Sequence, residues 1–370
     1  MTTSPSASLA LQGELKRGKI NAVPKAPLDG GGETPAGRPV FFTTITSSNR
    51  RRLFLAACIA SLPWLAPTHA AAQEYPGRAI TFVVPFGPGS ATDQLARAIG
   101  QGVTDQSGAT VVIENKPGAS AMIGASDVAR AQPDGYRVLI TTNTSHAANP
   151  HLYNKLSYDP VKDFEPVTLL GTGGQIMVVH PKSEAQNVAD FLRMAKENPG
   201  KLSFGSGSSS SRVAGELLQQ MADIELLHVP YKSNPLAITD LLGGQIDMMI
   251  GDMATGLPQV QSGALRALGV TTPERSPLAP DVPTISEAGV PGYEMGYWFG
   301  AYVPAGTPKD IVARLQELLH EATRRPAAVQ FYEQTGTRPV TSSSEELAEF
   351  QREETDKWGA IIEKAGIEKS

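Results

Sequence analysis

Cysteine is almost missing from this sequence: Cys58 is the only one in 370 residues. A disulfide framework within the chain, a thiolate zinc site and C-x-x-C redox chemistry are therefore excluded. Histidine is also scarce, six in all, and none stands in H-E-x-x-H or beside closely spaced acidic partners, so no metal ligand is assigned. The chain has no G-x-x-x-x-G-K-S/T, no G-x-G-x-x-G with its acidic residue in place, and no G-x-S-x-G. No nucleotide or other cofactor is expected, and serine hydrolysis has no motif. Basic blocks are absent beyond the first 73 residues, and 32 Lys and Arg are outnumbered by 37 Asp and Glu, so a nucleic-acid partner is not expected.

One apolar run is long enough to notice. It extends from Leu53 to Ala66, behind the cationic cluster Arg50, Arg51 and Arg52 and ahead of Ala70, Ala71 and Ala72. That three-part layout at 49–72 is a secretory signal, too short and too Pro-broken for a permanent span, with cleavage expected after Ala72. Arg51 and Arg52 ahead of Leu53, Phe54 and Leu55 also resemble a twin-arginine motif, so the Sec and Tat routes both stay open. L-A-A-C at Cys58 resembles a lipid-attachment box, the weaker reading because the apolar run continues past it. Residues 1–48, rich in Ser, Pro, Gly and Thr, read as a disordered leader or an over-extended start. Removing 1–72 leaves 24 cationic against 34 anionic side chains, a net charge of −10, and no cysteine.

The remaining 298 residues alternate apolar runs with helical periodicity, which argues an α/β class. Ala79 to Pro85 reads as a parallel strand covered on both faces. Further strands are expected at 111–115, 137–142, 166–170, 176–180, 202–205, 226–230, 248–251, 265–271 and 297–303. Helix starts are legible at Asn187 with Asp190, Thr307 with Pro308 and Asp310, and Ser343 with Glu346. The last opens an amphipathic segment, 345–365, expected to brace one domain from outside. So many strands exceed one comfortable core, so two α/β domains with a crevice between them are expected.

Two loops combine glycine with hydroxyls. Pro85 to Asp93 (P-F-G-P-G-S-A-T-D) joins the first strand to its helix, where free N–H groups face out from the carboxyl end of the sheet and can hold an anion. Its plainer reading is a turn with Ser90 as cap and Asp93 completing the box. Gly205 to Ser211 (G-S-G-S-S-S-S) offers hydroxyls and helix-terminal amides, or else a solvated cap.

Several segments together carry a family resemblance: P-F-G-P-G-S-A-T-D-Q-L-A-R (85–97), E-N-K-P-G-A-S-A-M-I-G (114–124), P-D-G-Y (133–136), N-P-H-L-Y-N-K-L-S-Y-D-P-V-K-D-F (149–164), H-V-P-Y-K (228–232), D-L-L-G-G-Q-I-D (240–247), G-A-L-R-A-L-G-V-T (263–271), P-D-V-P-T-I-S-E-A-G-V-P-G-Y-E (280–294) and P-A-G-T-P (304–308). Each is weak alone. In this order, from about residue 75 to near the C-terminus, they closely resemble the Bug receptors, the solute-binding proteins of tripartite tricarboxylate transporters.

The resemblance implies a fold of the type II periplasmic binding proteins, two hinged α/β domains with an interdomain ligand cleft: 75–171 plus 293–370, and 172–292. It implies a non-catalytic, monomeric periplasmic receptor that captures a small carboxylate and hands it to the large and small permease subunits in the membrane. It also implies ligand contacts from Phe86, Gly87, Gly89, Ser90, Thr92 and Asp93, from Gly205, Ser206, Ser208 and Ser209, and from Tyr231, Lys232 and Asp252. Thr142, Asn143 and His146 follow a strand end and either reach the crevice or satisfy local backbone. Two departures stand out, Gly89-Ser90 where relatives have Gly-Gly, and Ser233 where they have Gly. Ligand size is open to citrate-like, amino-dicarboxylic and aromatic acids, depending on whether Phe86, Tyr231, Trp298 or Phe299 stacks on it. A receptor that feeds a sensor kinase, and an exported hydrolase or lyase of carboxylic acids, are the alternatives.

Overall fold

A computed structural model of the chain describes residues 75–370; the expected leader, the signal segment at 49–72 and Cys58 lie outside the described residues. The chain runs β1 (Ile80–Val84), α1 (Ala91–Ser107), β2 (Val111–Asn115), α2 (Met122–Ala129) and β3 (Arg137–Thr142), βα units whose strands pair in parallel. After β3 comes a π-helical turn, Thr144–Ala148, that runs into α3 (Asn149–Leu152). Then follow β4 (Phe164–Val179), α4 (Val188–Glu197), β5 (Ser203–Ser206), α5 (Ser209–Ala222), β6 (Leu227–Pro230), α6 (Asn234–Leu242), β7 (Met248–Asp252), α7 (Met253–Gln261) and β8 (Arg266–Val270). The chain closes with β9 (Gly296–Pro304), α8 (Lys309–Ala322), α9 (Pro326–Thr335) and α10 (Ser344–Lys364).

The strand order is β2-β1-β3-β9-β4-β7-β5-β6, with β8 also on β4. Parallel pairing holds within β1–β2–β3 and within β5–β6–β7, while β9 and β4 insert antiparallel between these groups. Here the structure corrects the expectation: the strands read at 166–170 and 176–180 are one strand, β4, 16 residues long. The glycines at 171, 173 and 174 do not turn the chain. They carry it through a crowded place, since a Cβ on Gly174 would lie 2.2 Å from Thr272 Cγ2 and one on Gly173 2.5 Å from the Tyr297 hydroxyl. Up to Gly174 the strand pairs with β9; from Gln175 it pairs with β7. The expected crossing at 171/172 falls inside β4, and that at 292/293 just ahead of β9.

Alternation along β9 gives the sheet two different faces. Tyr297 and Phe299 join the apolar cluster around β1, α1 and α8, with Phe82, Leu95, Ile99 and Leu315. Trp298 and Tyr302 face the other way, into a cluster that runs from Leu139 through Trp358 to Phe204, Leu218 and Met248. That second cluster is continuous across both groups of parallel strands. α10 roofs it, touching the π-helical turn and α3 on one side and α5 on the other, so it braces both groups and not one.

The expected caps at Asn187 and Ser343 form: Asn187 Oδ1 accepts from the Asp190 amide, and Ser343 with Glu346 closes a reciprocal box. The third shifts by a residue. α8 starts at Lys309, and the Thr307 hydroxyl donates to Pro304 O instead of capping.

Trp358 is 2 % exposed at the centre of the α10 contact. Trp358→Ala should cost about 3–5 kcal/mol, read as a lowered denaturant midpoint with an unchanged slope. A loss under about 1 kcal/mol would show that α10 is not a structural brace.

Candidate functional site

β1 ends in Pro85, and the chain turns through Phe86 to Ser90 with Gly89 at φ +78°, a conformation that favours glycine. Asp93 holds this turn from inside. Its carboxylate accepts from the Gly89 amide at 2.9 Å, from Asn115 Nδ2 at 2.9 Å and from the Arg97 guanidinium, while Asn115 also donates to Phe86 O. Burial pushes the Asp93 carboxyl upward, but these donors prevail and hold it below the usual carboxylate range.

Ser90 caps α1 by accepting from the Asp93 amide, which leaves the first-turn amides of Ala91 and Thr92 without a helical partner. The same happens opposite. Ser208 and Ser211 form a reciprocal box at the start of α5, leaving the amides of Ser209 and Ser210 free of helical bonds. α6 begins at Asn234, whose Oδ1 accepts from the Gly207 amide (3.0 Å) and the Ser211 hydroxyl (3.2 Å). Its Nδ2 donates to Asp252 Oδ2 at 2.6 Å, and Asp252 in turn caps α7 through the Thr255 amide. Gly207 has to be glycine here, because a Cβ would lie 2.0 Å from the Ser233 carbonyl carbon.

Residues of four helix starts thus line one recess. Phe86, Ser90, Ala91 and Thr92 line it from the β1 side, and Gly207, Ser208, Ser210, Asn234 and Asp252 from the β5 side. Thr142, Gln175, Tyr297 and Phe299 form its floor on β3, β4 and β9. Among the described residues lining it, Asp252 alone carries a charge. The positive ends of four helices point at a site with no cation, an arrangement that stabilises an anion through amides and dipoles. Asp252 is itself lifted above its usual range by burial, against the hydrogen bonds from Asn234 and Thr255.

Of the residues expected at the site, Phe86, Ser90, Thr92, Thr142, Ser208 and Asp252 line the recess. Gly87 and Gly89 shape the loop, with Gly87 so near Ser233 that a Cβ would meet its Oγ at 2.7 Å. Asp93 points inward, as described. Gly205 packs against Ile246 and Tyr231. The Ser209 hydroxyl donates to Asn149 Oδ1 at 2.8 Å, a link from α5 to α3. Tyr231 turns its hydroxyl to Asp240 Oδ2, and Lys232 is exposed and outside the lining, so the one cation assigned to the wall is not on it.

Asn143 is fully buried behind Thr142, and its amide has no partner among the described residues. His146 is buried too, its Nδ1 within 2.8 Å of Ser145 Oγ and its ring 3.9 Å from that of Tyr302. Burial drives it down to about 3, so it is neutral. Ser206 Oγ lies 2.7 Å from His228 Nε2, a pairing the sequence does not announce. It is not a hydrolase dyad: neither residue lines the recess, and burial lowers His228 to about 4, with no carboxylate on its other nitrogen among the described residues.

Gln175, Asn234 and Tyr297 are the lining residues that the sequence does not single out. A signal exists for two of them: Ser233-Asn234-Pro235 is a helix start, and Gln175 is a lone amide heading the apolar run I-M-V-V.

A family model described as "Tripartite tricarboxylate transporter family receptor" matches residues 95–367. The periplasmic binding protein BugD is similar in structure, with a TM-score of 0.77 and 34% identity, covering 80% of this chain and 100% of that one. The R. palustris protein Rpa4515, solved with adipate, gives 0.78 and 33% over 80% of this chain and 100% of its own. MatC from Rhodopseudomonas palustris, solved with bound malate, gives 0.75 and 30% over 78% and 100%. The fold is that of the periplasmic binding proteins.

The electrostatics of Asp252 can be checked without a ligand. A carboxyl raised in the folded state favours folding most when protonated, so the penalty for its charge is present at pH 8 and fades as pH falls through its elevated value toward the unfolded one. Asp252→Asn removes that penalty and can keep the α7 cap through Oδ1, but sets its Nδ2 against Asn234 Nδ2, a loss that does not depend on pH. Its melting temperature relative to the wild type's should therefore be higher at pH 8 than at pH 4.5; a difference independent of pH would show that Asp252 is not raised.

Proposed function

The chain belongs to the tripartite tricarboxylate transporter receptor family, and from that premise we propose that the recess binds a small dicarboxylate, which the protein carries in the periplasm to the membrane subunits of such a transporter. Solute-binding receptors make up the family, so the protein is a receptor and not an enzyme. The observation that carries the ligand class is the convergence of four helix N-termini on a recess whose only charged lining residue is the buried Asp252.

A net charge of −10 after removal of 1–72 opposes an anion at long range, so capture depends on short-range donors. Hydrogen bonds to a charged group contribute about 1.5–3 kcal/mol each, and a few of them give micromolar binding. Adipate and malate, the acids in the two R. palustris relatives, are small dicarboxylates.

We place the lobes at 75–171 plus 293–370 and at 172–292, hinged where β4 changes partner and ahead of β9. A ligand touching both lobes stabilises the closed form by its differential affinity, which is what a membrane partner reads.

Calorimetric titration of the purified protein with malate, succinate and adipate tests the reading. At least one should bind, and at a hundred times its Kd should add about 2.7 kcal/mol of stability. Ala91→Pro sharpens the test. Position 91 is the first of α1, where proline fits the backbone, and Ser90 at φ −65° and ψ 158° accepts a following proline. The variant should fold like the wild type yet lose about tenfold or more in affinity, because one free amide is gone. No binding by any of the acids, or full affinity in the variant, would refute the assignment.

A further inference from the structure

Asn149 opens α3 and is fully buried. Its Nδ2 donates to Ser120 O at 2.8 Å and to the Tyr158 hydroxyl at 3.3 Å, both in the proposed first lobe, and these acceptors take up both amide hydrogens. A carbonyl only accepts, so Ser120 O also fixes which end of the carboxamide is which. Oδ1 is left for α5, where it receives the Ser209 hydroxyl at 2.8 Å, and that hydroxyl has no other partner among the described residues.

Ser209 is the first residue of α5 and belongs to the proposed second lobe. Among the described residues, its bond to Asn149 is the one hydrogen bond between two side chains that joins the lobes. Every other hydrogen bond between them uses the crossing segments themselves, at 172–174 or 293–296. The bond also stands beside the recess. Ser208 and Ser210, the neighbours of Ser209, line it, and the Ser209 amide is one of those free of helical bonds at the α5 start. An acceptor already oriented by its own lobe loses little freedom when the other lobe arrives.

We propose that Asn149 is a positioning residue for capture, a latch that acts through Ser209: pairing across the lobes holds the closed form and keeps the α5 start, with its free amides, against the bound acid. This rests on the lobes and the dicarboxylate reading above. A latch made of one neutral hydrogen bond suits a receptor that has to release its load, because it slows departure several-fold without making closure permanent.

Stopped-flow and calorimetric titration with malate, succinate and adipate test it. For whichever acid the wild type binds, Ser209→Ala should speed dissociation about three- to tenfold and leave association within about twofold, since the latch forms only after the solute has entered. Alanine suits the first residue of a helix capped by Ser208, so the variant should fold as the wild type does. Asn149→Ala also gives up the Ser120 and Tyr158 bonds and should melt lower, but in the Ser209→Ala background it should speed dissociation no further, because the partner is already gone. Should Asn149→Ala fail to fold, Ser209→Ala alone decides. An unchanged dissociation rate in Ser209→Ala, or additive accelerations from the two substitutions, overturns the latch and leaves the dicarboxylate reading intact. If none of these acids binds the wild type, both fall.

Discussion

A single side chain, Asn234, holds the site in register. Its Oδ1 gathers the Gly207 amide and the Ser211 hydroxyl of the α5 start, and its Nδ2 reaches the Asp252 cap of α7. One carboxamide at the first residue of α6 thus ties three helix starts together, using one acceptor and one donor that no water can supply at fixed geometry. The Gly207 position then has no room for a Cβ, and the loop has no freedom to turn its amides elsewhere. On the other side Asp93 does the equivalent for α1, bonding Gly89, Asn115 and Arg97. Neither anchor, the Asn234 carboxamide or the Asp93 carboxylate, carries a positive charge that could pair with an anion. They fix the backbone, whose helix-start residues line the recess.

This division of labour explains why the recess can suit an anion in a chain that is acidic overall. Surface charges act over roughly a Debye length and are screened by salt, about 8 Å at physiological strength. Helix-end amides act at contact and in a low-dielectric setting, where each is worth more. The number of negative side chains elsewhere matters little to such a site. Asp252 does matter, because it is within the lining, and burial already disfavours its charge.

Local signals made parts of this legible in the sequence. Ser90, Ser208, Asn187 and Ser343 all stand at caps, since capping depends on the next three residues only. The parallel strands and the two hydroxyl loops follow from the same kind of short-range chemistry. What stayed hidden is set by distant contacts. Gly171 to Gly174 reads as a turn until Tyr297 and Thr272 are known to crowd it, and the antiparallel insertion of β9 unites residues more than a hundred apart. Tyr231 and Lys232 stand just ahead of the start of α6, yet it is Asn234 that lines the recess, while Tyr231 bonds Asp240. For His146 the sequence left two readings open, and its ring is buried and packed on Tyr302.

The proposed lobes meet through small polar contacts that are cheap to part. The α5 start meets α3 through the Ser209–Asn149 hydrogen bond, and Gly87 meets Ser233 through a small contact. Exchanging such a hydrogen bond for water costs only about 0.5–1.5 kcal/mol. The large buried rings of β9 pack instead within the proposed first lobe, Tyr302 on His146 and Phe164 and Trp298 on Phe350. Each carries about 150–250 Å² of ring surface, worth several kcal/mol at about 25 cal/mol per Å². In the proposed hinge, then, the rings that would be costly to expose stay covered by their own lobe, and the contacts that must break to admit a solute are the weak ones.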